Sequence, residues 1–217
     1  MKNAQGNGYS LVEISIVLVI IGILVGSVLT GKSLITAAET RAVITEYGQY
    51  NEAVNLFKET YFGLPGNIRE PNQLIANCNK CIAGDGKGFI LDKVETYEAW
   101  VELNAAGMIS FLPTSNPTPR IGVNMPASKA AGAGWQLAAS DKWYKHPKKN
   151  GLILGGNNDP LLANFNLSSD RALSIDSKID DGFPRTGNVL TFGNAVGNEN
   201  KYLLNQTPLN HIIFFFD

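Results

Sequence analysis

The chain has 217 residues, 44% of them apolar, with 18 Lys and Arg against 19 Asp and Glu, a formal net charge of −1. That length suits one domain of fair size or two small ones, and a charge this near zero excludes the electrostatic footprint of a nucleic-acid binder or a polybasic membrane-surface protein. Two Cys exclude a disulfide-dense scaffold, and with two His a four-ligand His/Cys zinc site would need all four residues.

Residues 1–8 are polar, with Lys2 their only charge. From 11 to 29, fourteen of nineteen residues are apolar, and Glu13 is the one charge. The uncharged run from Ile14 to Gly31 predicts a helix about long enough to cross a bilayer core of ~30 Å. A secretory signal fits poorly, because the leader lacks a positive n-region and no small-residue cleavage pattern follows the apolar run. All ten Pro lie at or beyond Pro65, and 16 of 22 Gly lie beyond residue 60. Residues 9 to about 62 therefore predict one unbroken helix. Its character changes at Gly31-Lys32. Beyond that point Ile35, Ala38, Ala42, Val43, Tyr47, Tyr50, Val54, Phe57 and Tyr61 recur at helical spacing, with Glu39, Arg41, Glu46, Glu52 and Lys58 mostly between them. A membrane half thus continues into an amphipathic half that packs on a globular body.

An isolated carboxylate in an apolar segment costs ~2.5–3.5 kcal/mol on insertion scales, so Glu13 wants either the interface or a partner. The residues around it, GYSLVEISIVLVIIGILVG from Gly8 to Gly26, resemble the N-terminus of a type IV prepilin or pseudopilin. By that resemblance Gly8 ends the leader, Tyr9 becomes the new N-terminus where the family usually has Phe, and Glu13 is the acid at the fifth mature position. The resemblance implies cleavage at Gly8-Tyr9 and N-methylation of Tyr9 by a prepilin peptidase. The freed amine of a neighbouring subunit would neutralise Glu13 in low dielectric. Many pilins carry a Pro near the position of Thr30. Its absence leaves Gly22 and Gly26 as points for local unwinding.

A competing motif overlaps this segment. Residues 26–33, GSVLTGKS, match the P-loop expression G-x(4)-G-K-S, with Lys32 as its lysine. The run before it is about twice a strand's length, the loop interior is not Gly-rich, and no βαβ alternation follows.

Farther along, Phe62-Gly-Leu-Pro-Gly-Asn67 predicts a sharp helix stop, and 68–88 a loop holding Cys78, Cys81 and the turn 84–88. Residues 92–106 predict a helix with an Asp92/Glu95 capping box, an inner side of Tyr97, Trp100, Val101 and Asn104-Ala105, and Gly107 at its end. Residues 113–134 predict a surface excursion. Short strands are expected at 152–154, 189–192, 202–204 and 212–216, and a helix at 168–179 capped by Ser168 or Ser169. The segments LPGN, GDGKG, Glu95…Trp100…Leu103 and SIDSKIDDG resemble the soluble domain of a bacterial pilin-like subgroup.

Cys78 and Cys81 admit a zinc half-site, a redox pair or a short-loop disulfide, and the periplasmic setting that the resemblance implies favours the disulfide. Asp176, Asp180 and Asp181 cluster at a helix end. Some pseudopilins hold Ca²⁺ in their C-terminal region, which these residues or Asp85 would ligate, while helix capping and surface charge are the plainer reading. His146 lies in a basic turn, and His211 opens the last strand without a recognisable catalytic partner.

The expectation is an α+β pilin fold, a long N-terminal helix packed on a C-terminal antiparallel sheet. It comprises a leader at 1–8, a membrane or filament-core helix at 9–31 and a periplasmic body at 32–217. The implied role is a non-enzymatic subunit of a type IV pilus or type II secretion pseudopilus, needing no cofactor beyond that Ca²⁺. Its partners would be like subunits, the peptidase and an inner-membrane assembly platform. A membrane-tethered or tip-located adhesive module, with its site in 113–150 or the C-terminal region, is the competing class.

Overall fold

The computed structural model describes residues 9–114, 120–130, 132–139, 149–156, 167–193, 196, 200–203 and 209–216. Helix α1 spans Leu11–Tyr61 without a break, as the missing Pro and sparse Gly predict. Contacts divide the chain into two units, Met1–Ala38 and Glu39–Asp217. The compact body therefore starts at Glu39, a few residues past the Gly31-Lys32 change. Ile35 and Ala38, expected on the packing stripe, are exposed, and burial begins at Thr40.

Within the body the elements in chain order are α1 (from Glu39), α2 Pro71–Leu74, α3 Lys93–Ala105, β1 Ala133–Ala139, β2 Asn150–Gly156, α4 Ser169–Ile179, β3 Val189–Gly193 and β4 Leu209–Phe215. The strands form one antiparallel sheet in the order β1-β2-β4-β3. Thus β4 lies between β2 and β3, and the connection that contains α4 skips a strand position. Pairings Trp135↔Leu154, Leu154↔Ile212 and Leu152↔Phe214 bring large side chains onto one face. Helix α1 covers it. Tyr47 stacks on Phe214 at 4.7 Å, and Tyr50 meets Trp135 at 5.9 Å and Trp100 of α3 at 5.0 Å. Val43, Val54 and Phe57, all fully buried, continue this stripe at helical spacing.

Three sequence expectations change. Strand β1 was not foreseen: its Ala- and Gly-rich sequence has little strand propensity, and pairing with β2 plus cover from α1 and α3 makes it a strand. The described part of 113–134 is not a mere surface excursion, because Asn124 and Met125 are buried and Asn124 Oδ1 accepts from Arg120 N–H at 2.6 Å to close a turn. Of 202–204, Tyr202 makes only an isolated bridge to Val196, and Leu204 lies outside the described residues. Helices α3 and α4 fall where expected. The Asp92/Glu95 capping box is present and Gly107 takes φ +74°, whereas Ser168, the N-cap of α4, makes no side-chain cap bond.

Candidate functional site

Three places gather the residues singled out from the sequence. The first is the start of α1. Every large apolar side chain from Leu11 to Leu29 is between 46% and 86% exposed. The hydroxyls among them close on their own helix, Ser15 donating to Val12 O at 2.8 Å, Ser27 to Ile23 O at 2.8 Å and Thr30 to Gly26 O at 3.0 Å. This helix is long and apolar enough to cross a membrane. Glu13 Oε2 accepts from Ser10 N–H at 2.8 Å, while Ser10 Oγ accepts from Val12 N–H at 3.3 Å. Ser10-x-x-Glu13 is therefore a capping box in its own right, a second role for Glu13 that the pattern S-x-x-E carries. Tyr9 is 84% exposed beside it. Gly8 and the leader lie outside the described residues, as does His146.

The P-loop reading does not survive the backbone. Residues 26–33 are a continuous part of α1, so their N–H groups bond within the helix, and no strand precedes them among the described residues. Gly22 and Gly26 are likewise regular helix.

The second place is the end of α4. One carboxylate oxygen from each of Asp176, Asp180 and Asp181 lies within 4.8 Å of the others. Their oxygens already accept hydrogen bonds. Asp176 takes Gly182 N–H at 3.1 Å and Tyr202 O–H at 2.8 Å, and Tyr202 in turn lies 2.8 Å from Thr191 Oγ1. Asp180 takes Asn188 N–H at 2.5 Å and Val189 N–H at 2.8 Å, and Asp181 takes Phe183 N–H at 2.8 Å and Thr186 O–H at 2.7 Å. Gly187, at φ +75°, is the residue that fits here, since a Cβ would run into the Asp180 carboxylate. The trio thus pins the turn 181–189 to α4. Burial raises Asp176 to about 6 against the hydrogen bonds it accepts, with Asp181 and Asp180 adding to the rise. Ca²⁺ takes six to eight oxygens, and here the donor hydrogens point at the oxygens it would need. Asp85 is not in this group. It pairs with Lys87 at 2.7 Å, and that hydrogen bond holds its carboxyl well below the usual range.

The third place is the loop between α1 and α3. Cys78 and Cys81 are joined as a disulfide with Cα atoms 5.2 Å apart, and both are buried. Glu95, Glu98 and Glu102 of α3 are buried against this loop, and Glu46 of α1 is buried against the turn before β1. Glu46 accepts from Trp135 Nε1–H at 2.9 Å, Ser128 O–H at 2.6 Å and Lys129 N–H at 2.9 Å. Its spacing had placed it among the outward charges. Only the donors across the fold bring it inside.

His211 of β4 packs against Phe192 with ring centroids 5.2 Å apart, and burial lowers it to about 4, so it is neutral near pH 7. A cleft of about 560 Å³ opens beside the end of α1, lined by Lys58, Phe62, Leu64, Phe89, Lys149 and Phe216. No protein-family model, curated protein or solved structure significantly matches this chain.

Proposed function

We propose that the chain is a structural subunit of a type IV pilus or type II secretion pseudopilus, cut between Gly8 and Tyr9 by a prepilin peptidase and polymerised through the first half of α1. The observation that carries this reading is the apolar run from Leu11 to Leu29, exposed on all sides and carrying a single charge, Glu13, at its start. Such a surface needs cover, and one helix has two means of obtaining it in sequence: lipid before assembly and sister helices after it. In the precursor, Glu13 next to the membrane interface caps the helix through Ser10 N–H. After cleavage a neighbour's Tyr9 amine gives it a charged partner as both leave water. The body would face the periplasm, where the Cys78–Cys81 disulfide persists, and an inner-membrane platform would extract the processed subunit.

Terminal sequencing of the protein from its native membrane should begin at an N-methylated Tyr9, and an N-terminus at Met1 would end the processing claim. Glu13→Ala should leave the chain inserted while filament yield falls at least tenfold. Full yield from that variant would sink the pairing.

A further inference from the structure

Helix α3 carries Glu95, Glu98 and Glu102 at 5%, 2% and 0% exposure. Buried glutamates are normally held by cations. Here they hold backbone. Glu95 accepts from Asp85 N–H at 3.0 Å and Leu91 N–H at 3.1 Å, Glu98 from Ile82 N–H at 3.1 Å, and Glu102 from Gly66 N–H at 2.6 Å. The loop 63–91 has only the four-residue α2 as regular structure, so its buried N–H groups lack a ladder and the carboxylates of α3 replace one. Gly66, at φ +79°, makes the close approach, since a Cβ there would lie 2.7 Å from Ala99 N.

Glu102 differs from the other two. Its Oε2 takes the Gly66 hydrogen, while its Oε1 is buried without a hydrogen-bond partner among the described residues. With a proton on Oε1 the group is neutral and Oε2 remains a carbonyl-type acceptor, so the loop contact is kept. Without that proton, a charge sits in an apolar site facing Glu98 and Glu95. Among the described residues no cation acts on it. Of the loop's charged groups, Arg69, Asp85 and Lys87 gather at the Glu95 end, where Asn67 Nδ2 bridges Glu95 at 2.7 Å and Asp85 at 2.9 Å, and Glu70 and Lys80 are exposed. From α1, Tyr50 stands edge-on to Trp100 of α3, and β1 carries no ionisable residue.

We propose that the α3 carboxyl row is a proton-operated latch on residues 63–91: seating the loop retains a proton on Glu102, so the loop is held most firmly in acid and loosens as the pH rises. Burial, opposed by the Gly66 bond and aided by Glu98 and Glu95, raises Glu102 to about 8, and burial raises Glu98 as well. The seated state then binds one more proton than the open state between the ordinary glutamate range and about 8. Its advantage is complete below that range, shrinks as the pH rises through it, and is gone above it.

The test uses the full chain in detergent micelles, following hydrogen exchange at the Gly66 and Ile82 amides from pH 5.5 to 7.5, corrected for intrinsic rates. Loop opening in the wild type should rise by up to about tenfold per pH unit relative to Glu102→Gln, which keeps an acceptor for Gly66 but cannot ionise. Parallel profiles for the two proteins would overturn the latch. Should Glu102→Gln fail to fold, carbon-13 titration of the wild-type carboxyl decides it: a Glu102 midpoint above 6.5 supports the latch, and one in the ordinary glutamate range refutes it.

Discussion

Residues 11–38 expose every large apolar side chain they carry, whereas the described part of 39–217 buries five carboxylates, Glu46, Glu95, Glu98, Glu102 and Asp176. In both regions the protein supplies the hydrogen bonds that water would otherwise make. The first region does so within a single helix, through its own ladder, hydroxyls bonded to carbonyls three or four residues back, and the Ser10–Glu13 box. The second does so across the fold, because its loops have N–H groups and no strand or helix to give them to. A helix whose polar groups are closed internally can change surroundings without rearranging a bond. The body cannot, since its acceptors and donors come from different elements and must stay together.

The largest effect should come from the point where the body's elements meet. Trp135 is fully buried, donates to Glu46 and packs with Phe214 at 5.5 Å and Tyr50 at 5.9 Å. Trp135→Ala should cost about 4 kcal/mol in urea unfolding, combining a cavity with a lost donor to a buried carboxylate. Trp135→Phe should recover roughly half, because it restores ring packing but not the donor. A loss below about 1.5 kcal/mol for the alanine variant would mean that the body does not depend on this junction.

Ile20→Lys sharpens the contrast from the other side. Placed mid-run, it should cost about 3 kcal/mol on an insertion assay. The same substitution should leave urea unfolding of the body within about 0.5 kcal/mol of wild type, since Ile20 is exposed and lies outside the unit that starts at Glu39. A shift above 1 kcal/mol in unfolding would show the two regions to be energetically coupled.

How far the sequence announced this arrangement differs between the regions for the same reason. The unbroken α1, its apolar half and the Asp92/Glu95 box are local patterns, and each is read within one or two helical turns. The Ser10–Glu13 box is equally local, an S-x-x-E pattern ahead of an apolar run. Glu46, Glu98 and Glu102 could not be placed, because a charge at helical spacing ordinarily marks the solvent face. What turns them inward is a set of N–H and O–H donors up to 89 residues away in sequence, as in the Glu46–Trp135 bond. Strand β1 was hidden likewise: Ala-Gly-Trp-Gln-Leu-Ala-Ala becomes a strand through its pairing with β2 and its cover, not through propensity. The three aspartates were visible as neighbours, yet their partners Tyr202, Asn188 and Val189 were not.

Those aspartates give a smaller effect with a definite sign. Asp176 is buried and raised to about 6, above its unfolded value, so its contribution to stability is complete below pH ~4, declines as the pH rises from there to 6, and is flat beyond. Asp176→Asn does not titrate. The stability of wild type relative to this variant should therefore fall by roughly 2 kcal/mol between pH 4 and pH 6.5. With the oxygens committed to turn 181–189, millimolar Ca²⁺ should leave that difference curve in place. Stabilisation of the wild type by more than 1 kcal/mol on adding Ca²⁺ would instead make the cluster a cation site.

Phe62 gives the smallest effect and bears most directly on the contrast, because it is a body residue that behaves like the exposed half of α1. It follows the last residue of α1 at φ +53°, in the left-handed conformation that helix ends usually give to Gly, and it is 94% exposed at the rim of the cleft holding Lys58 and Lys149. Holding a non-Gly residue there costs about 1 kcal/mol, and an exposed ring returns little of it through burial. Phe62→Gly should therefore stabilise the body by up to about 1 kcal/mol, with Phe62→Ala close to wild type since it keeps the strained backbone. Part of the glycine gain is offset by a freer unfolded chain. If Phe62→Gly instead destabilises the body, the ring must pack in solution against the helix end. If it stabilises, the ring is present at the body's expense, and its use must lie in a contact outside the folded chain, the same inference that the bare apolar half of α1 demands.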